Sequence, residues 1–127
     1  MKSKAVVFYN PANKNNICML KKIEDFLRRN SVIFHRVCVG RKKVFNLSAD
    51  FGVAIGGDGT VLYAARAIVE KEIPLIAVKC GGLGFLSSVE ERNACRMIND
   101  FLKENYKTVN RTLLNVQMGE KKFVALN

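Results

Sequence analysis

A carboxylate set among three glycines, Gly56-Gly57-Asp58-Gly59-Thr60, is the stretch whose residue types and spacing best suit bond-making chemistry. Glycine reaches positive φ without steric cost, and consecutive glycines leave backbone N–H groups open to approach. Where such a turn opens a helix, the partial positive charge of the helix start joins those donors, and the natural guest is a phosphate. Asp58 runs against this. A carboxylate about 4 Å from a phosphate is repelled by roughly 1 kcal/mol in water and about 4 kcal/mol at an effective dielectric of 20. Two arrangements offset the repulsion: a bridging Mg²⁺, or use of the carboxylate as the base that takes a proton from an attacking hydroxyl. The plainer alternative is a helix cap, where Asp is favoured and suits the dipole. A cap alone does not call for three glycines.

The neighbouring residues say what holds the turn. Phe51-Gly52-Val53-Ala54-Ile55 is an apolar run ending at the glycines, the pattern of a buried strand. Val61, Ala64, Ala65 and Ile68 follow at i, i+3, i+4 and i+7, so a helix starts directly after the turn. Upstream, Ala5-Val6-Val7-Phe8-Tyr9 reads as a strand covered on both faces, stopped at Asn10-Pro11. Asn13 to Asn16 supply capping groups for a helix striped by Ile17, Leu20, Ile23 and Leu27. Lys14, in that loop, is placed either to reach a phosphate or to be solvated. Residues 31–39 read as a second strand, with His35 on its surface. Val44, Phe45 and Leu47 suggest a short helix after the basic Arg41-Lys42-Lys43.

Residues 73–78 make the next strand, with Pro74 at its start, where proline is tolerated. Gly81-Gly82-Leu83-Gly84 then forms a second glycine loop at the same sheet edge, where ligands of open α/β sheets lie. Its spacing departs from the dinucleotide fingerprint, since the third glycine is misplaced and no helix opens at once. Phe85 and Leu86 offer an apolar wall beside it. Ser88-Val89-Glu90-Glu91 has the form of a capping box for a helix carrying Ala94, Met97, Ile98, Phe101 and Leu102. Leu113 to Met118, a turn at Gly119-Glu120, and Phe123 to Leu126 give a β-hairpin signal. The alternation predicts an α/β fold: an open, mostly parallel sheet with helices on both faces.

Composition bounds the rest. At 127 residues with 49% hydrophobic content, the chain can bury one good core. No apolar run approaches the roughly 20 residues of a membrane span, and Ala5 to Tyr9 is too short for a signal sequence, so the expectation is a cytoplasmic protein without membrane partners. Cys18, Cys38, Cys80 and Cys95 form no Cys-x-x-Cys pair and fall mostly in apolar patterns, which points to core thiols. The net charge of +10 and pI near 9.7 fit a solvated basic surface or a field that draws anionic nucleotides. Nucleic acid is the weaker reading, because no aromatic residues interleave with the basic clusters as a stacking platform would require.

Gly-Gly-Asp-Gly-Thr after a hydrophobic strand resembles the signature shared by NAD kinases, diacylglycerol and sphingosine lipid kinases and, more distantly, phosphofructokinases. The run Gly81-Gly82-Leu83-Gly84-Phe85-Leu86 resembles NAD kinases specifically, and Ala125-Leu126-Asn127 looks like the start of that family's Ala-Leu-Asn-(Glu/Asp) motif. The resemblance implies a Rossmann-like α/β domain over residues 1–106, with residues 107–127 beginning a β-rich domain that contributes most of the NAD pocket. The implied reaction moves the γ-phosphoryl group of ATP to the 2′-hydroxyl of the NAD adenosine ribose, giving NADP. Polyphosphate as donor and NADH as acceptor stay open.

Carried onto matching positions, the resemblance makes Asp58 the proton acceptor or the Mg²⁺ partner. Gly56, Gly57, Gly59 and Thr60 become the phosphate turn, with Asp58 and Gly59 also against NAD. Leu83 and Phe85 line the nucleotide pocket, and Asn127 hydrogen-bonds the NAD adenosine side. Lys79 stands where that family commonly carries Asn, and a long cation there either contacts a phosphate or projects to solvent. The family's downstream glycine- and threonine-rich segment is absent, so the implied chain is a piece of a homo-oligomeric enzyme that alone turns over slowly or not at all. The runner-up is a lipid kinase, although Val61-Leu62-Tyr63-Ala64 lacks the polar Asn-Glu usual there, and Asn13-Lys14 replaces the Ser-Gly of those enzymes' first loop. A non-catalytic nucleotide-binding or assembly module is the third reading.

Overall fold

The computed structural model describes residues 1–41, 48–81 and 84–126. The helix suggested at Val44 to Leu47 lies outside them. Five strands form a wholly parallel sheet: β1 (Lys4–Tyr9), β2 (Ile33–Cys38), β3 (Phe51–Gly56), β4 (Leu75–Lys79) and the two-residue β5 (Val89–Glu90). Their order across the sheet is β2-β1-β3-β4-β5. Parallel neighbours need crossover connections, which α1 (Lys14–Arg29) supplies between β1 and β2 and α2 (Asp58–Ile68) between β3 and β4. Helix α3 (Ala94–Leu102) follows β5.

Side-chain alternation divides the core into two layers. Val7, Val53, Ile55 and Val78 point to one face, against Met19, Leu20, Ile23 and Leu27 of α1 and Ala94 and Ile98 of α3. Val6, Phe8, Ala54 and Ala77 point to the other, against Val61, Ala64 and Ile68 of α2. Every residue of β3 is buried, which explains its unbroken apolar sequence. Gly52 is the exception in size: a Cβ there would lie 3.0 Å from Leu75 Cδ1, so the adjacent strand occupies its space. Phe51, Phe101 and Tyr106 stack in series at 4.6 and 4.5 Å and close the lower end of the core.

Helix α1 starts where the asparagines predict, with Asn13 Oδ1 accepting the Asn16 N–H at 2.8 Å. The capping box at Ser88 does not form. Ser88 leads into β5, whose Val89 and Glu90 pair with Val78 and Lys79, so the residues that would form the first turn are extended in the sheet instead. Glu91 then opens a short 3-10 turn ahead of α3, and Asn93 precedes that helix without a side-chain cap bond.

Strands β6 (Leu113–Met118) and β7 (Lys121–Leu126) form a separate antiparallel hairpin through a turn in which Gly119 has φ of +59°. It rests on α2: the Arg66 Nε–H donates to the Val124 carbonyl at 3.1 Å, and Leu126 packs on the α2 side of the core. Its other face leaves Leu114, Met118 and Phe123 exposed.

Candidate functional site

In the order β2-β1-β3-β4-β5 the chain leaves β1 in one direction and β3 in the other, which opens a crevice beyond their carboxyl ends. Asn10 lies past β1 and Gly56-Gly57 past β3, side by side: the Asn10 N–H donates to the Ile55 carbonyl at 3.4 Å. Gly56 is required by the turn. Its φ is +150°, and a Cβ would sit 2.5 Å from Thr60 Oγ1 and 3.7 Å from Asn10 Cβ. Gly57 and Gly59 have nothing within 4 Å of a Cβ, so a ligand can reach the backbone there. The second glycine loop leaves β4 in the same way, with Gly81 at φ of +76°.

Asp58 is the first residue of α2 rather than its cap. Gly57 holds the capping position and makes no side-chain bond, so the simple capping alternative does not describe this carboxylate. Instead Asp58 reaches across to the second glycine loop. Oδ2 accepts the Phe85 N–H at 3.2 Å and Oδ1 the Leu86 N–H at 3.0 Å. A Cβ on Gly84 would meet Oδ1 at 3.4 Å, an ordinary van der Waals contact, so the loop lies directly against the carboxylate. Asp58 is half-buried, open to the crevice, and its charge strengthens both bonds. Sequence reasoning placed the two loops at one edge but did not find this clasp, which joins residues 27 and 28 positions apart.

Three of the polar atoms left over point to the same place. Among the described residues, Thr60 Oγ1, Asn16 Oδ1, Ser87 Oγ and Glu24 Oε1 are buried without a partner; the first three belong to connections leaving the carboxyl ends of β1, β3 and β4, whereas Glu24 lies further along α1. Buried polar atoms are nearly always satisfied by protein or bound solvent, so such a cluster marks where a ligand or water completes the structure. Ser87 and Asn16 were missed in the sequence. A buried Asn in a helix striped by Ile and Leu carries no signal that its amide turns inward, here donating to the Asn10 carbonyl at 2.8 Å.

Phe85 is 88% exposed on the clasped loop, a large apolar ring held at the crevice. Lys14 is exposed at the first residue of α1, on the same sheet edge. Lys79 ends β4 in register with Gly56. His35 is exposed on β2, remote in the fold from the glycine turns. Leu83 and Asn127 lie outside the described residues.

No described cluster of three or more His, Cys, Asp or Glu side chains could cage a metal ion. The residues present suit a Mg²⁺ that is shared with substrate phosphates, for which a single carboxylate, Asp58, suffices. The thiols are less uniformly buried than their apolar surroundings predict: Cys80 is buried, Cys38 and Cys95 are half-buried and Cys18 is exposed. Burial, then the nearby Glu91 carboxylate, pushes the Cys80 thiol up to about 12. A cavity of about 470 Å³ lies at the opposite, amino-terminal edge of the sheet between Lys4, Asp50, Phe101 and Tyr106. Two exposed carboxylates, Asp50 and Glu104, line it, and Asp50 is already used, its Oδ2 accepting the Lys4 N–H at 2.7 Å.

Residues 13–106 match the family described as ATP-NAD kinase N-terminal domain. The chain belongs to the NAD kinase family. An NAD kinase of Petrotoga mobilis is 38% identical over 128 residues, covering 98% of this chain and 46% of the relative. One from Methanothermobacter thermautotrophicus is 38% identical over 82 residues, 65% of this chain and 29% of that protein. Thus the chain spans less than half the length of the NAD kinases it matches. The fold recurs in the crystal structure of an NAD kinase from Archaeoglobus fulgidus in complex with ATP, at TM-score 0.65 and 22% identity over 87% of this chain and 40% of that one. It recurs also in yeast NADH kinase complexed with NADH, at TM-score 0.73 and 16% identity over 98% and 44%.

Proposed function

We propose that this chain supplies the phosphate-side half of an NAD kinase site, which moves a phosphoryl group from ATP to the 2′-hydroxyl of the NAD adenosine ribose and yields NADP. The observation that carries the reading is the crevice at the sheet reversal, where a carboxylate, an unpartnered buried hydroxyl and an exposed aromatic ring converge on open glycine backbone. Phosphoryl transfer asks for positioning and charge stabilisation more than covalent chemistry, and this is what such a turn supplies. The N–H groups that open α2, with Gly56, Gly57, Gly59 and Thr60, hold phosphate oxygens. Lys14 and Lys79 add positive charge from the flanking connections. Asp58 accepts the ribose hydroxyl, as proton acceptor or through its hydrogen bond, while its clasp keeps Phe85 against the nucleotide together with Leu83. A Mg²⁺ on the donor phosphates, with Asp58 as its protein ligand, would neutralise charge as the phosphoryl group leaves.

In this reading residues 1–106 are the α/β unit and the hairpin of residues 107–127 begins the β-rich unit that carries further NAD contacts, Asn127 among them. The complete enzyme is a cytoplasmic homo-oligomer, and the chain alone turns over slowly or not at all. The lipid-kinase alternative has no counterpart among the relatives named above. Calorimetric titration with NAD, ATP and a lipid headgroup phosphate tests the reading: nucleotides bind and the headgroup does not. Headgroup binding without nucleotide binding contradicts it.

A further inference from the structure

The hairpin of β6 and β7 meets the α/β unit over a small part of its length. Residues 121–123 of β7 are exposed and 124–126 half-buried, and five of the six residues of β6 are exposed. The connection from α3 does little to hold it. Residues 107–112 are all exposed, and among the described residues the last backbone bond before β6 runs from the Asn105 N–H to the Asp100 carbonyl at 2.8 Å. A segment with so few buried contacts moves independently unless something pins it. Two contacts on α2 do so: Leu126 packs on the layer that holds Val61, Ala64 and Ile68, and the Arg66 Nε–H donates to the Val124 carbonyl at 3.1 Å.

Arg66 lies in the last turn of α2, where a cation ordinarily serves the helix dipole or an acid one turn away. Glu70 stands four residues on, yet among the described residues no ion pair joins the two, and Arg66 reaches the strand instead. A rigid guanidinium loses less freedom per bond than a lysine would, which suits a fixed spacing between helix and strand. The same helix begins at Asp58, about 12 Å away along its axis at 1.5 Å per residue. The layer that takes Leu126 also takes Leu86, whose N–H Asp58 accepts. The end of β7 and the clasped loop thus rest on one surface, and the contacts that hold β7 there decide where the segment after Leu126 meets the glycine turn.

We propose that Arg66 is a positioning residue: it locks the hairpin onto α2, sets the approach of the hairpin unit to the glycine turn, and so governs affinity for NAD without touching either nucleotide. The inference rests on the reading above, in which the hairpin begins the unit that contacts NAD and the glycine turn takes phosphate. Loosening the pin weakens NAD and spares ATP.

The test combines backbone amide relaxation with calorimetric titration of the 127-residue chain by NAD and by ATP, for the parent, Arg66→Met, Arg66→Lys and Leu126→Ala. In Arg66→Met the amides of β6 and β7 tumble faster than those of β1 to β4, whose spectra are unchanged. NAD binds about fivefold more weakly, the scale of one lost hydrogen bond from a charged donor near solvent, and ATP affinity is unchanged. Arg66→Lys recovers part of the loss, and Leu126→Ala, a lesion at the other contact, repeats the selective loss of NAD. A hairpin that still tumbles with the sheet in Arg66→Met, or one that is freed while NAD affinity holds, overturns the role of Arg66 and leaves the reading of the site standing. Equal weakening of NAD and ATP marks a general structural effect and overturns it as well. A parent that binds neither nucleotide contradicts both.

Discussion

Replacing Asp58 by alanine removes the clasp between the two glycine loops as well as any catalytic group, and the structural part can be sized. Hydrogen bonds to a charged group contribute about 1.5–3 kcal/mol when protected from water. The Leu86 bond at 3.0 Å is partly buried and falls at the lower end of that range, whereas the Phe85 bond at 3.2 Å is exposed and contributes about a third as much after competition with water. The sum is about 2 kcal/mol for Asp58→Ala. Asp58→Asn keeps one acceptor oxygen but turns an NH₂ group toward the second amide, so it loses about 1 kcal/mol. A domain of this size loses roughly 4 °C of Tm per kcal/mol, which gives drops of about 8 °C and about 4 °C. Thermal unfolding followed by circular dichroism measures both, and hydrogen exchange reports the clasp itself. Leu86 exchanges about tenfold faster in Asp58→Ala, the factor that corresponds to about 1.4 kcal/mol. A variant that melts within about 1 °C of the parent, with unchanged protection at Leu86, would refute the clasp. If the drop is seen, lost transfer activity in Asp58→Asn reports loop order and chemistry together, and the two separate only when Phe85 and Leu86 remain protected.

Other positions discriminate different parts of the account. Gly56→Ala forces a Cβ to within 2.5 Å of Thr60 Oγ1 at a φ of +150°, and costs about 3 kcal/mol in urea unfolding. Gly57→Ala meets open space, so it leaves stability within about 1 kcal/mol of the parent while weakening ATP binding in the same titration used above. Glu24 has a 3% exposed side chain and meets Arg28 at 3.0 Å and Arg36 at 2.8 Å, each arginine more than half exposed. Glu24→Leu therefore returns two cations to water and is nearly neutral, whereas Arg36→Leu strips the buried carboxylate of one partner and costs about 2 kcal/mol; equal losses in denaturant melts would contradict this asymmetry. The Cys80 thiol is raised above its ordinary value of 9.0 to about 12 by burial and then by Glu91. Its contribution is complete below about pH 9 and is lost as pH rises from there toward 12, since the unfolded thiol ionises first. The parent should lose stability relative to Cys80→Ala over that window, and alkylation at pH 8 should label exposed Cys18 and spare Cys80.

Local patterns were legible in the sequence wherever one physical rule governed a short stretch. The buried run of β3, the helix after the glycines, the Asn13 cap and the hairpin about Gly119 each follow from spacing within about ten residues. Ser88 fails because two rules compete: the same residues that spell a capping box also extend far enough to pair with β4, and the ladder wins. What remained hidden depends on pairing across the fold. The strand order that puts the crevice between β1 and β3 is not written in any segment, nor is the bond from Asp58 to residues 85 and 86. Glu24 falls on the apolar stripe of α1, at i+4 from Leu20, and the partner that lets a carboxylate sit there, Arg36, comes from β2 and is not visible in the helix's own sequence.

The central claim is that nucleotides are gripped at the carboxyl edge of the sheet, between the two glycine loops. Amide chemical shifts of the 127-residue chain titrated with NAD and with ATP test it most directly. The account predicts that Gly57, Asp58, Gly59, Thr60, Phe85 and Leu86 move together and saturate with one affinity per ligand. Shifts gathered instead at Lys4, Asp50 and Tyr106 around the cavity on the opposite edge, with the glycine loops unmoved, would contradict it.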